Sequence, residues 1–333
     1  MAILFAGSSL SDFSNITSYV TNSLLTEYLM DTVVEGVRIK GGTGSFDFLI
    51  QESTDFWLSF TLAAPVFTAN TASQTGSLLS IFNVAYSATN PLFRIRGASA
   101  VYSLQFWNGS SYTTIGTVNG INTEGKARWD VHVKISDTEG VFEVYKDGTL
   151  VGPAAPVDTK LIAGVSGANM IRLHNPSGWV SGVLYFSGVI VSTTDTRGLQ
   201  LIQTTPVSAG EMTEWTGSYA DVDDTDINDA DFITSSTVGS ISTFDFGTIP
   251  TEYNSMEIEA VVLAFRGQSG GGAVASLEGV ARIAGTNHTK QLEKALPSIY
   301  GPAQAIFHNN PTTTGPWTTA QVRAAEFGVR ASA

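Results

Sequence analysis

The chain has 333 residues, of which 43% are apolar and only 14% charged, too much apolar side chain for a disordered protein and too little Lys and Glu for a helical bundle. Its net charge is −13, with 11 Lys/Arg against 15 Asp/Glu over residues 1–199 and 6 against 15 over residues 200–333, so neither half offers the basic face that nucleic acid or an anionic membrane attracts. The absence of cysteine excludes disulfides, thiolate nucleophiles and Cys-based metal sites, and no apolar run reaches the roughly 18 residues of a membrane span.

Met1-Ala-Ile-Leu-Phe-Ala is too short and lacks the basic start of a signal peptide, so Ile3-Leu4-Phe5 reads as an edge strand and the chain is expected to be made in the cytoplasm without a leader. Ser18–Met30 is the best helix candidate, and reads equally as an irregular N-terminal arm. Phe56–Leu62 alternates, with Trp57, Ser59 and Thr61 on one face and Phe56, Leu58, Phe60 and Leu62 on the other. Further strands are expected at Leu78–Ala85, Leu92–Gly97, Tyr102–Trp107 and Tyr112–Val118, spaced as in a β-sandwich. In Trp129–Ile135 period 2 separates Trp129, Val131, Val133 and Ile135 from Asp130, His132 and Lys134. Val141–Lys146 returns, and Asp147-Gly148 marks a tight turn into Thr149-Leu150-Val151. Met170–His174 and Gly182–Val191 are expected to form a strand pair, the second nearly all apolar, like a central strand.

Leu199–Gly210 reads as a linker strand, and the six aspartates of residues 221–231 repel one another, so that stretch is expected to lie extended at the surface. Strands follow at Ile241–Phe246, Ser255–Arg266, Ala275–Ile283 and Thr289–Leu296. Thr318 is placed to cap one helical turn before a terminal strand, Glu326–Arg330. The fold class is therefore all-β, two sandwich (jelly-roll) domains with minor helix: one over 1–198, a linker with an acidic connector over 199–232, and a smaller sandwich over 233–333.

Trp129–Val151, with Tyr145-Lys-Asp-Gly-Thr-Leu-Val, and Ile171–Asn175 followed by Tyr185-Phe-Ser-Gly-Val-Ile-Val and Asp195-Thr-Arg-Gly, resemble the concanavalin-like (laminin-G-type) lectin sandwich. The resemblance covers roughly residues 1–198, its specific motifs only the last third. Trp215–Asp224, Asp231–Thr237, Trp317–Val322 and Glu326–Val329 resemble, in that order, a small β-sandwich at the C-terminus of tailed-phage proteins. The resemblance implies a non-enzymatic structural protein of a phage virion, serving in assembly, decoration or host adhesion. Its partners would be other virion proteins and further copies of itself, a trimer if it belongs to a fibre. The alternative is a carbohydrate-binding lectin that recognises a host surface glycan, and a third reading is a glycan hydrolase.

Hydrolases of this fold need two carboxylates held together. The nearest pair, Glu257-Ile-Glu259, falls in the second half and reads as a solvated strand face, so no catalytic residue is assigned. His132, His174, His288 and His308 match no zinc spacing, and there is no GxSxG elbow or phosphate loop. The acidic run fails the calcium-loop pattern, with Asp229 where glycine and Ser235 where glutamate is required, so no metal and no cofactor are expected. Two loops could bind a glycan, because aromatic faces stack on sugar rings while amides reach hydroxyls. One is the hairpin Trp107-Asn108-Gly-Ser-Ser-Tyr112 and the other is Asn175-Pro-Ser-Gly-Trp179.

Overall fold

The computed structural model describes residues 2–17, 20–23, 36–40, 44–64, 75–98, 101–118, 125–153, 158–160, 162–175, 183–224, 226–270 and 272–333. The chain divides into two units, Met1–Ser9 with Phe13–Leu201, and Leu10–Asp12 with Ile202–Ala333.

The first unit contains β1 (Ile3–Gly7), β2 (Val20–Ser23), β3 (Gly36–Lys40), β4 (Ser45–Ser53), β5 (Asp55–Ala64), β6 (Thr75–Phe82) and β7 (Phe93–Ala98). It continues with β8 (Val101–Trp107), β9 (Tyr112–Val118), β10 (Gly125–Lys134), β11 (Val141–Lys146), β12 (Thr149–Leu150), β13 (Ala168–His174) and β14 (Val183–Ser192). Among the described residues these make two antiparallel sheets. One runs β12-β11-β10-β5-β14-β3-β2, with β1 also paired to β14; the other runs β4-β13-β6-β7-β8-β9.

Alternation decides which side of each strand meets the other sheet. Phe56, Leu58, Phe60 and Leu62 of β5 are buried, as are Trp129, Val131 and Val133 of β10 and Phe93 and Ile95 of β7. Rings cross the gap between the sheets: Phe5 against Phe48 at 4.6 Å, Phe46 against Phe186 at 5.7 Å and Phe93 against Phe142 at 5.3 Å. The Asp147-Gly148 turn has φ of 48° and 77°, the left-handed backbone that a two-residue hairpin requires.

Two expectations are corrected here. Met170–His174 and Gly182–Val191 do not pair: β13 lies between β4 and β6, and β14 between β5 and β3, in the opposite sheet. Neighbours in sequence had two partners available, and their apolar faces fit either sheet. Within Ser18–Met30, Val20–Ser23 is not helical but a strand on β3, while residues 18–19 and 24–30 lie outside the described residues. Val20 and Thr21 are β-branched, which favours the extended state.

The second unit contains β15 (Pro206–Thr213), β16 (Ile241–Phe246), β17 (Val261–Gly267), β18 (Ser276–Ile283), β19 (Thr286–Gln291), β20 (Gly301–Phe307), the short helix α1 (Thr319–Arg323) and β21 (Glu326–Ser332). The order β15-β16-β21-β18-β19 forms one sheet and β17-β20 a second. Residues 206–213, within the stretch read as connector, are thus a strand of this sheet, paired with β16. Leu263, Ala281, Ala305, Phe307, Trp317 and Phe327 make the core. Trp317 is buried and its Nε1–H donates to the Phe307 carbonyl at 3.1 Å. A Cβ on Gly279 would sit 2.6 Å from the Ala305 Cβ, so only glycine lets β18 approach β20 this closely. Thr318 caps α1 by accepting from the Gln321 N–H at 3.2 Å.

Trp129 is 3% exposed, whereas Lys134, on the same strand, pairs with the exposed Glu139. Trp129→Ala is expected to cost about 3–5 kcal/mol and Lys134→Ala less than about 0.5 kcal/mol. Urea midpoints of the two variants against wild type measure the difference.

Candidate functional site

Burial of Phe93 and Ile95 leaves Arg94 and Arg96 on the solvent side of β7, and burial of Leu104 and Phe106 leaves Ser103, Gln105 and Trp107 outward on β8. Strand register then sets Arg94 opposite Gln105, Gln105 opposite Thr114, and Trp107 opposite Tyr112. The Arg94 Nε–H donates to the Gln105 Oε1 at 2.8 Å, and the Gln105 Nε2 donates to the Thr114 hydroxyl at 3.1 Å. The Arg94 guanidinium lies 3.2 Å from the centre of the Tyr112 ring, a cation–π contact. Trp107 and Tyr112, both half-buried, meet at 4.8 Å with their planes tilted by 56°. Burial pushes the Arg94 pKa down, Tyr112 raises it and Arg96 lowers it again; burial pushes the Tyr112 hydroxyl up, while Arg94 and Arg96 oppose that.

Two of the five sequence-derived site residues, Trp107 and Tyr112, stand together on this platform. Asn108 serves the turn instead: its Oδ1 accepts from the Ser110 N–H at 3.0 Å and the Ser111 N–H at 2.8 Å. Asn175 is 2% exposed, with its backbone N–H on the Gly44 carbonyl and its side-chain amide donating to Ile39 O at 3.4 Å, so it supports the chain rather than facing solvent. Trp179 lies outside the described residues. Arg94, Gln105 and Thr114 carry no motif and become neighbours only through register. Beside Trp107 a small cleft of mixed character is lined by Leu92, Phe93, Ile135, Thr159, Lys160, Ile162 and Val165.

A second polar and aromatic group covers the outer face of the other sheet. The Trp57 and His132 rings stack at 4.4 Å and 7°, and the Arg197 guanidinium lies 4.4 Å from the Tyr145 ring and 5.2 Å from that of Trp57. His132 Nε2 is 2.9 Å from Asp55 Oδ1, and the Tyr145 hydroxyl donates to Glu143 at 2.8 Å. Burial first, then the hydrogen bond to Glu143, pushes the Tyr145 pKa up to about 12. The strap after β14 is fastened here: the Thr196 hydroxyl donates to the fully buried Asp130 at 2.8 Å, and Arg128 donates to the Thr196 carbonyl at 2.8 Å. The resemblance-bearing Asp195-Thr-Arg-Gly thus works as a clamp, Arg197 pairing with Asp195 and lying over the Trp57 and Tyr145 rings.

Other candidates are placed as follows. Glu257 and Glu259 are both exposed and precede β17, so the expected strand begins six residues later, at Val261. In the acidic stretch Asp229 is taken by Arg266 at 2.7 Å and Asp224 accepts from Asn228. Hydrogen bonding from the Ser218 backbone lowers the Asp221 carboxyl, and hydrogen bonding with Asp221 raises that of Asp231. Among the described residues no three metal-ligating side chains converge.

No family model and no curated protein matches the chain. Among solved structures it is similar to the binding domain of botulinum neurotoxin DC in complex with SialylT, at 9% identity and a TM-score of 0.42 over 99% of this chain and 94% of that one. It is also similar to the cellulose-induced protein Cip1, at 14% identity and 0.41 over 56% and 94%, and to the T. cruzi calreticulin globular domain, at 9% and 0.39 over 59% and 89%. These likenesses are of β-rich architecture and bear on nothing finer.

His174 yields a testable pH dependence. Its Nε2 lies 3.1 Å from the Ser80 hydroxyl, and burial, then the neighbouring Arg172, pushes its pKa down to about 3. Between roughly pH 6.5 and 3 the unfolded chain takes a proton that the folded chain refuses, so stability falls as pH falls through that window. His174→Gln is expected to remove on the order of 3 kcal/mol of this loss at pH 4. Melting curves of wild type and variant at pH 7 and pH 4 give the comparison.

Proposed function

We propose that the chain is a non-catalytic carbohydrate-binding protein, and that it binds glycan on the outer face of β7–β9. The observation that carries this is the Trp107–Tyr112–Arg94–Gln105–Thr114 platform. Recognising a sugar takes a partly exposed ring for its apolar face and fixed polar groups for its hydroxyls. Here the ring pair is locked by a short hairpin, and the guanidinium, amide and hydroxyl are held in register by one another. Sites on neighbouring copies in a homo-oligomer would strengthen weak binding through effective concentration.

The virion setting is supported by the sequence resemblance of Trp215–Asp224, Asp231–Thr237, Trp317–Val322 and Glu326–Val329, and within it this platform would serve host adhesion. Mass spectrometry of purified phage particles tests the setting separately from the binding.

Screening the full chain against immobilised polysaccharides tests the binding. A glycan retained by wild type is expected to lose at least about ten-fold in affinity on Trp107→Ala. Arg197→Ala, in the closed clamp on the other sheet, is expected to leave affinity unchanged. Equal losses for the two variants, or turnover of the glycan, would overthrow the reading.

A further inference from the structure

Between Asp55 and Glu124 the sequence contains no acidic residue, and its only charged side chains are Arg94 and Arg96. In a chain of net charge −13 this is the local reverse of the whole. The fold converts the gap in sequence into a surface, because β6, β7, β8 and β9 come from this stretch and lie side by side. Arg94 and Arg96, two residues apart on β7, point to the same side. Around them register places hydroxyls and an amide: Ser77 and Ser103 beside Arg96, Ser80 and Gln105 beside Arg94, and Thr114 and Thr117 on β9.

Three of the other four arginines of the same unit show what this pair lacks, while Arg38 on β3 is, among the described residues, likewise without a carboxylate. On the same sheet Arg172 is held by the buried Asp47, its Nη2 donating to Oδ2 at 2.6 Å. On the other sheet Arg128 faces Asp130 and Arg197 faces Asp195. Among the described residues neither Arg94 nor Arg96 has a carboxylate partner. Among the described residues the Arg94 guanidinium hydrogen-bonds through Nε, which leaves the donors of its terminal nitrogens available there. Two half-buried guanidiniums with like charge at neighbouring positions repel each other, and an anion between them relieves that cost.

We propose, resting on the glycan reading above, that this face takes an anionic sugar, its carboxylate or sulfate held by Arg94 and Arg96 while Trp107 and Tyr112 receive the ring. A guanidinium matches either group through paired N–H donors, and the platform's rings supply the sugar-specific part. The strands carrying the site bear no negative charge to repel such a ligand, although the chain as a whole does.

Calorimetric titration of the full chain with polygalacturonate, dextran sulfate, neutral dextran and polyglutamate, at low and at high salt, tests this. At low salt at least one of the two acidic polysaccharides is expected to bind about ten-fold or more tighter than dextran, with the advantage shrinking at high salt. Which of them binds better separates carboxylate from sulfate. R96Q is expected to abolish the advantage and leave any affinity for dextran in place, and R96K, with charge but no paired donors, to retain part of it. If wild type holds neutral and acidic glycans equally, or R96Q keeps the preference, the anionic assignment falls while the glycan reading stands. Polyglutamate bound as tightly as the acidic polysaccharides would likewise overturn the assignment, since charge alone would then suffice. If none of the polysaccharides binds, both fall. The wild-type comparison decides the matter even where a variant fails to fold.

Discussion

The layer of rings between the two sheets of the first unit sets the terms for everything outside it. Phe5, Phe46, Phe48, Phe93, Phe142 and Phe186 interlock across the gap, and each is nearly or wholly buried. A strand that turns these residues inward has no choice about its alternate side chains, which must face away from the core. A one-residue slip of β7 would bury Arg94 and Arg96 and expose Phe93 and Ile95. The cost of desolvating two unpaired guanidiniums makes that register inaccessible. The polar surfaces are therefore consequences of the aromatic layer.

Those surfaces follow two different electrostatic designs. On the eight-stranded sheet every charged group of the Trp57–His132–Tyr145 cluster has a counterpart close by, and the strap from Ser192 to Leu199 lies on it through Asp130 and Arg128. A buried carboxylate such as Asp130 is tolerated because it accepts from Thr196 and faces Arg128. Its contribution is to fix where the strap lies. The β6–β9 face has rings and hydrogen bonds but, among the described residues, no carboxylate paired with its arginines. The first surface is satisfied from within the chain; the second leaves donors for something else.

Much of this is legible in the residues. Alternation in Phe56–Leu62 and Trp129–Ile135 gives both the strands and their inward faces, and Thr318 with Gln321 marks the start of α1. The Trp107–Tyr112 hairpin is visible because aromatic residues flank a polar, glycine-containing turn. What is not legible is register across strands distant in sequence. Arg94 and Tyr112 carry no joint signal until β7, β8 and β9 are aligned, and Asn175 looks like a loop residue until β13 is seen to end beneath neighbouring backbone. The strand β20 escapes notice because Gly301-Pro-Ala-Gln-Ala-Ile-Phe is buried almost throughout and shows no period. Pairing partners escape too: β13 and β14 are adjacent in sequence yet belong to opposite sheets, since an apolar face specifies a core and not a neighbour.

The pairing of β1 with β14 bears on how the chain comes off the ribosome. Ile3 aligns with Ser192 and Gly7 with Val189, so β1 is made long before β14, the last strand of its unit, with which it pairs. At the usual elongation speed that interval is on the order of ten seconds or more. Throughout it an apolar Ile-Leu-Phe segment, buried at every position in the finished fold, has no partner. The nascent chain must be shielded from its neighbours over that time, and polysomes crowded with identical copies are where β1 would find the wrong edge.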